Sequence, residues 1–88
     1  MSDAKIYVNV CTIFNTDGKM IPQYLQWEDG VKYQIDRVLD IKPAPAIKAG
    51  GYGDRYTIRV NGQERYLFFE HNTAANDAAL GKWFVEKR

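Results

Sequence analysis

This sequence of 88 residues is poor in cysteine and histidine and has almost no excess of charge. The single cysteine, Cys11, excludes an intramolecular disulfide. Cys11 and His71 alone do not make a zinc site, which needs four ligands, and no spacing of acidic residues suggests the other two. Twelve basic residues against eleven acidic ones give a net charge of +1. Bulk electrostatics therefore predict neither a nucleic-acid nor a membrane partner, and such a role needs a local patch.

Long apolar runs are also missing. No stretch approaches the roughly 20 apolar residues that a membrane-spanning helix needs. The segment from Met1 to Lys5 is polar and lacks the apolar run of a signal peptide. We therefore expect a cytoplasmic protein without a membrane partner. No repeat, low-complexity block or linker divides the chain, so we predict one small β-barrel-like domain over residues 1–88.

Aromatic residues, in contrast, are plentiful at 14% of the chain. Each buries roughly 150–250 Å². A domain of this size buries only about 60–65% of the surface that its unfolded chain exposes. The aromatic residues can therefore make a thin core sufficient, and the composition is too apolar for a disordered chain.

Apolar and polar residues alternate along the chain between clusters of turn residues, a pattern typical of strands. The runs cover residues 6–14, 20–28, 31–41, from 52 or 55 to 60, about 63–70 and 82–86. Between the last two, the sequence favours at most one short helical turn near residues 76–80. The fold class predicted is all-β, a five- to six-stranded antiparallel barrel or rolled sheet.

The loop between the second and third runs contains Asp29-Gly30. A two-residue loop would place the apolar residues of the two strands on opposite faces, whereas a three-residue loop, 28–30, brings them to one face. We therefore predict the longer loop, with Gly30 in the left-handed region. Its register pairs Trp27 with Val31 and Leu25 with Tyr33.

The dipeptide Asn61-Gly62 predicts a second hairpin with a type I′ turn. This loop pairs Val60 with Gln63 and Tyr56 with Leu67. It also sets Arg59 opposite Glu64, as an ion pair worth a few tenths of a kcal/mol.

Several stretches together resemble a family of short bacterial all-β proteins of unassigned function. They are residues 27–38, Trp-Glu-Asp-Gly-Val-Lys-Tyr-Gln-Ile-Asp-Arg-Val, then Lys48-Ala-Gly-Gly, Arg55-Tyr-Thr and Lys82-Trp-Phe-Val-Glu. The resemblance covers most of the chain, but these motifs are mostly turn and core residues. It therefore implies a fold and not a chemistry, and no catalytic or binding residue is carried over from it. The stretch 72–79 is longer than expected for that family and is interpreted as an insertion.

No group of residues in the sequence makes a strong catalytic site. A nucleophilic Cys11 with His71 as its base needs spatial proximity and a third, orienting group; we favour a buried or half-buried strand cysteine instead. Asp36 and Asp40 are about 13 Å apart along a strand, too far for direct coupling. The glycines after Lys48 are followed by strand signals and not by the helix that a phosphate-binding loop needs. We predict no catalytic residue, no metal and no cofactor, and therefore not an enzyme.

A local basic and aromatic cluster is the main functional signal. Residues 42–59 hold four basic side chains against one acidic side chain, with tyrosines between them. Single-stranded nucleic acid is held in this way, with phosphates bound by charge and bases stacked on aromatic rings. We predict a binding module whose candidate nucleic-acid-binding residues are Lys48, Tyr52, Arg55, Tyr56, Arg59, Tyr66 and Phe68.

An alternative is a protein-interaction or homodimerisation module. The strand around residues 66–69 is apolar on both faces, which is more than one thin core needs.

Overall fold

The structure, a computed structural model, describes residues 4–45, 52–71 and 80–87. These residues form eight strands and no helix. The predicted helical turn near residues 76–80 lies, except for Leu80, outside the described residues. The strands are β1 (Ala4–Tyr7), β2 (Asn9–Phe14), β3 (Met20–Gln26), β4 (Lys32–Gln34), β5 (Arg37–Pro45), β6 (Tyr52–Val60), β7 (Gln63–His71) and β8 (Gly81–Lys87).

All strand pairs are antiparallel and belong to two sheets. The larger sheet has five strands in the order β1-β8-β7-β6-β5, and the smaller has three in the order β2-β3-β4. The all-β antiparallel prediction is confirmed. The described ladders do not join into one closed barrel, so the predicted barrel or rolled sheet is not confirmed.

Two runs that the sequence predicts as single strands each pass from one sheet to the other. The first run divides at Val8, whose N–H donates to the carbonyl of Trp83 in β8 at 3.1 Å. The other run divides at residues 35–36. There the backbone N–H of Ile35 donates a hydrogen bond to the carbonyl of Gln23 in β3, and the N–H of Asp36 donates to the carbonyl of Arg59 in β6. Strands that change sheets at a bend form the corners of packed antiparallel sheets. Apolar alternation continues through such a bend, so periodicity alone does not reveal it.

The hairpin of β3 and β4, which we call the first hairpin, has the predicted geometry. Gly30 has φ +86°, in the left-handed region. The N–H of Trp27 donates to the carbonyl of Val31 at 2.8 Å, and Leu25 lies opposite Tyr33. The three-residue loop and its register are therefore confirmed.

The second hairpin also has the predicted register. Asn61 and Gly62 have φ of 53° and 75°, the two positive values that a type I′ turn requires. Val60 lies opposite Gln63, and Tyr56 lies opposite Leu67. Arg59 lies opposite Glu64, but no ion pair among the described side chains joins them. The predicted ion pair is wrong because both side chains are exposed, where fixing two long chains costs as much entropy as the contact gains.

The hydrophobic core lies between the two sheets. Ile58 of β6 and Leu67 of β7 are its most buried members, at 1% and 0% exposed. Tyr56, 3% exposed, donates its hydroxyl hydrogen to the carbonyl of Met20 at 3.1 Å and so links β6 to β3 across the core. The other buried members are Val8, Leu25, Ile35, Phe69 and Trp83. Among the described residues, none forms a helix able to cross a membrane.

Candidate binding surface

The outer face of the five-stranded sheet carries a row of four aromatic side chains. Strand pairing sets Tyr7 opposite Phe84, and Phe84 opposite Phe68. Tyr66 lies two positions before Phe68 in β7, on the same face of the sheet. The ring centroids of Phe68 and Phe84 are 5.0 Å apart and nearly parallel, whereas Tyr66 and Tyr7 meet this pair edge-on, at 6.4 and 5.9 Å. We call Tyr66, Phe68, Phe84 and Tyr7 the aromatic row.

Only the two ends of the aromatic row are open to solvent. Tyr66 is 47% exposed and Tyr7 is 50% exposed, whereas Phe68 and Phe84 are buried. The edges of the two tyrosines and the ammonium of Lys5, 4.8 Å from the centroid of Phe84, cover the central rings. The row therefore offers two phenol rings, one at each end, for stacking.

Cationic side chains lie against both ends of the row. The guanidinium carbon of Arg55 is 4.6 Å from the centroid of Tyr66. The ammonium of Lys82 is 5.3 Å from the centroid of Tyr7. The Nε of Arg55 is buried and has no hydrogen-bond partner among the described residues. Attraction between cation and ring holds these groups in place without neutralising their charge.

The Tyr7 end is compensated by an acidic residue. Glu70 accepts a hydrogen bond from the Tyr7 hydroxyl at 3.0 Å and forms an ion pair with Lys5 at 3.3 Å. Partial burial raises the pKa of Tyr7, and the hydrogen bond to Glu70 and the carboxylate charge raise this pKa further. Glu70 therefore offsets the charge of Lys5, and of the two cations at the Tyr7 end only Lys82 has no ion-pair partner among the described side chains.

The Tyr66 end has a cluster of arginines. Arg37 of β5 lies directly opposite Arg59 of β6, and both are exposed. Arg55 lies on the same face of β6, because residues 55, 57 and 59 alternate with the buried 56 and 58. We call Arg37, Arg55 and Arg59 the arginine cluster. No ion pair among the described side chains involves any of the three.

Like charges directly opposite each other on two strands are destabilising. An Arg37–Arg59 pair without an ion-pair partner among the described side chains, next to an exposed tyrosine, is therefore better suited to binding an anion than to stabilising the fold. The carboxylate nearest in register is that of Glu64, opposite Arg59 on β7, and it does not pair with Arg59.

The structure brings some of the predicted site residues together and separates others. Arg55, Arg59, Tyr66 and Phe68 share the outer face, but Phe68 is 9% exposed and does not offer a ring for stacking. Tyr56 lies in the core on the opposite face, because neighbouring residues of a strand point to opposite sides. Its expected place on the surface is wrong, and we leave it out of the site. Tyr52 begins β6, opposite Pro45 in register, and Lys48 lies outside the described residues.

Sequence reasoning missed Arg37, Tyr7 and Phe84 as neighbours of the site. Arg37 reaches the arginine cluster because β5 pairs with β6. Tyr7 and Phe84 join the row because β1 pairs with β8, almost the full length of the chain away. Local pattern carries no signal for these long-range strand pairs.

Cys11 and His71 do not form a catalytic pair in the structure. Cys11 is exposed on β2 of the smaller sheet, so the expectation of a buried or half-buried cysteine is wrong. His71 ends β7 in the larger sheet, and its Nε2 is 2.9 Å from a carboxylate oxygen of Asp54. In the described part of the chain, no three metal-ligating side chains cluster.

No protein-family model, curated protein or solved structure matches this chain.

Proposed function

We propose that this protein is a non-enzymatic module that binds single-stranded nucleic acid on the outer face of its five-stranded sheet. The observation that supports this most is the arginine cluster, with Arg37 opposite Arg59 and neither in an ion pair among the described side chains. Guanidinium groups bind phosphate oxygens in a bidentate manner. Two phosphates of a bound strand would therefore remove the repulsion that the free protein carries.

Tyr66 supplies the base contact in this proposal. Its ring is 47% exposed, and Arg55 supports it at 4.6 Å. Stacking of one base on an aromatic side chain contributes about 1–3 kcal/mol. Antiparallel sheets that present aromatic rings on one open face are a common platform for single-stranded RNA.

The finer features of the molecule are part of the same proposal. We infer that the two sheets wrap into one barrel-like domain, since the chain is continuous at both corners where it changes sheets. A cytoplasmic location and kinship with short bacterial proteins fit an RNA ligand and remain predictions.

The alternative of a protein-interaction or homodimer module through residues 66–69 is less well supported. Phe68 and Phe69 are 9% and 6% exposed within a single copy, which leaves Tyr66 as the exposed aromatic side chain of that segment. The apolar excess that motivated the alternative is therefore covered within a single copy.

The test is fluorescence anisotropy with labelled single-stranded RNA and DNA of about ten nucleotides, a length within the usual site size. Titrations at about 50 and 200 mM salt measure the electrostatic part of the affinity. We expect saturable binding that weakens with salt. Replacing both Arg37 and Arg59 by Gln should lower the slope of log affinity against log salt by about 0.7 for each phosphate that the variant no longer binds. Tyr66→Ala should weaken binding about 5- to 150-fold.

A matched control removes two positive charges elsewhere. Lys19→Gln with Lys32→Gln changes exposed residues beside and within the three-stranded sheet, with the same loss of net charge. The proposal fails if the control weakens binding as much as the double arginine variant does, or if binding is insensitive to salt. An unchanged affinity in the Tyr66→Ala variant would refute the proposed stacking of a base on Tyr66.

A further inference from the structure

A cavity of about 730 Å³ opens where β7 and β8 separate. The two strands pair from Phe68 and Phe84 to His71 and Gly81, but residues 63–67 of β7 have no partner on β8. The last residues of β8 pair with β1 instead. The resulting gap leads from the surface to the core between the sheets. Its volume lies within the range of about 300–1,000 Å³ that is usual for small-molecule sites.

The walls of the cavity are apolar and aromatic. Six side chains from both sheets and their connections line its inner part, namely Leu25, Trp27, Tyr33, Ile58, Val60 and Val85. Leu25 and Ile58 are buried members of the main core, whereas the other four are only partly buried. Trp27 and Tyr33 therefore offer ring surface to an occupant.

The polar residues at the mouth carry a net negative charge. They include Glu64, Arg65 and Glu86, which together carry one positive and two negative charges. The guanidinium of Arg65 donates a hydrogen bond to the side-chain carbonyl of Gln63. Glu86 lies opposite Lys5, but Lys5 forms its ion pair with Glu70. Among the described side chains, neither Glu64 nor Glu86 has an ion-pair partner.

The open strand edge adds hydrogen-bonding groups at the same place. In the second hairpin, Val60 and Gln63 flank a two-residue loop and exchange backbone hydrogen bonds. Because bonding alternates along an antiparallel pair, the N–H and C=O groups of Glu64 and Tyr66 point away from β6, towards the gap. An ammonium at this edge would find carbonyl and carboxylate acceptors there, and aromatic faces deeper in the cavity.

We propose that this cavity binds a small primary amine with an apolar, aromatic body. The body would lie against Trp27 and Tyr33, and the ammonium would lie between Glu64 and Glu86. Tyr66 borders both this cavity and the proposed nucleic-acid surface, but the charged contacts differ: Glu64 and Glu86 for the amine, and Arg37 and Arg59 for phosphate. Variants of these charged residues therefore test the two proposals independently.

The experiment compares phenylbutylamine with its isosteric anion, phenylbutanoate, by isothermal titration calorimetry on the full chain. Two-dimensional NMR follows the indole N–H of Trp27, which is distinguished from that of Trp83 by a Trp27→Phe variant. We expect the amine to bind, to shift the Trp27 signal and to bind at least tenfold more tightly than the anion. Equal or tighter binding of the anion, or no binding of the amine, would overturn the proposal.

Two variants test the location. Replacing Glu64 and Glu86 by Gln should weaken amine binding about two- to 30-fold, since partly exposed ion pairs contribute about 0.2–1 kcal/mol each. Glu28→Gln, an exposed carboxylate on the first hairpin loop, is the control and should change nothing. Val60→Phe should fill the cavity and abolish binding. If that variant does not fold, the Gln variants and the Trp27 signal still test where the amine binds. Unchanged amine binding in the double Gln variant would refute the proposed site.

Discussion

Replacing Gly81 by Ala tests how closely β7 and β8 approach each other. Gly81 begins β8 opposite His71. A Cβ atom there would lie far inside van der Waals contact with the carbonyl oxygen of Glu70, and 2.7 and 3.0 Å from two ring carbons of Phe69. Neither neighbour can move easily, because Glu70 lies within the paired part of β7 and Phe69 is a buried core residue.

The expected cost follows from these close approaches. Forcing an extra methyl group into a packed site costs typically about 1–3 kcal/mol. A weakened hydrogen bond between the strands adds about 1 kcal/mol to this loss of stability. The lower conformational entropy of the unfolded chain with alanine offsets about 0.4–1 kcal/mol of it. We therefore expect Gly81→Ala to lower the free energy of unfolding by about 2 kcal/mol. In a domain of this length the melting temperature should fall by about 8–16 °C.

Urea unfolding followed by tryptophan fluorescence measures the change, with Gly62→Ala as the control. A Cβ on Gly62 meets nothing within 4 Å, but its φ of +75° is left-handed. In the control, the free energy of unfolding should therefore fall by about 1–2 kcal/mol, from backbone strain alone and without a packing penalty. A loss at Gly81 below about 0.5 kcal/mol, the size of a neutral surface change, would refute the close approach of the two strands.

Three further predictions concern single side chains. Leu67→Ala, at a fully buried position, should cost about 2–5 kcal/mol in the same urea assay, and a loss below about 1 kcal/mol would contradict its place in the core. Burial, and to a lesser degree the charge of Asp54, raises the pKa of Tyr56. The stability that this phenol contributes is therefore complete below its unfolded pKa of about 10 and is lost as the pH rises through its higher folded pKa. Tyr56→Phe should cost about 1 kcal/mol at neutral pH, because it removes the hydrogen bond to Met20, and should reduce the alkaline loss of stability; an equally steep alkaline loss would refute this assignment. Glu70→Gln should lower the pKa of Tyr7, read from phenolate absorbance with Tyr7→Phe as the reference, and an unchanged titration would show that burial alone raises it.

Local sequence was enough to predict the extended runs and the two hairpins at Asp29-Gly30 and Asn61-Gly62. The register of the first hairpin follows from the need to place Leu25 and Tyr33 on one buried face, and the left-handed Gly30 follows from that register. Asn61-Gly62 specifies its turn in the same way, because both residues tolerate positive φ. These features depend on residues only a few positions apart, so alternation and turn chemistry suffice to find them.

The candidate site was only partly within reach of such reasoning. Composition showed the basic and aromatic residues of the stretch 42–59 and of the following strand, and the structure places Arg55, Arg59 and Tyr66 on one face. Alternation along β6 also predicts that Tyr56 points away from Arg55, but it does not say which of the two faces is covered. Which face is covered depends on the smaller sheet, where the carbonyl of Met20 accepts a hydrogen bond from the Tyr56 hydroxyl.

The class of fold and the turns and registers of the two hairpins follow from the sequence alone, because they arise from backbone preferences and side-chain alternation over short distances. Tertiary packing sets the bends of the chain at Val8 and at residues 35–36. It also places Arg37 opposite Arg59 and Tyr7 opposite Phe84. Such pairs form when distant strands bury a shared apolar face, and the outward side chains of those strands become neighbours as a consequence of that burial.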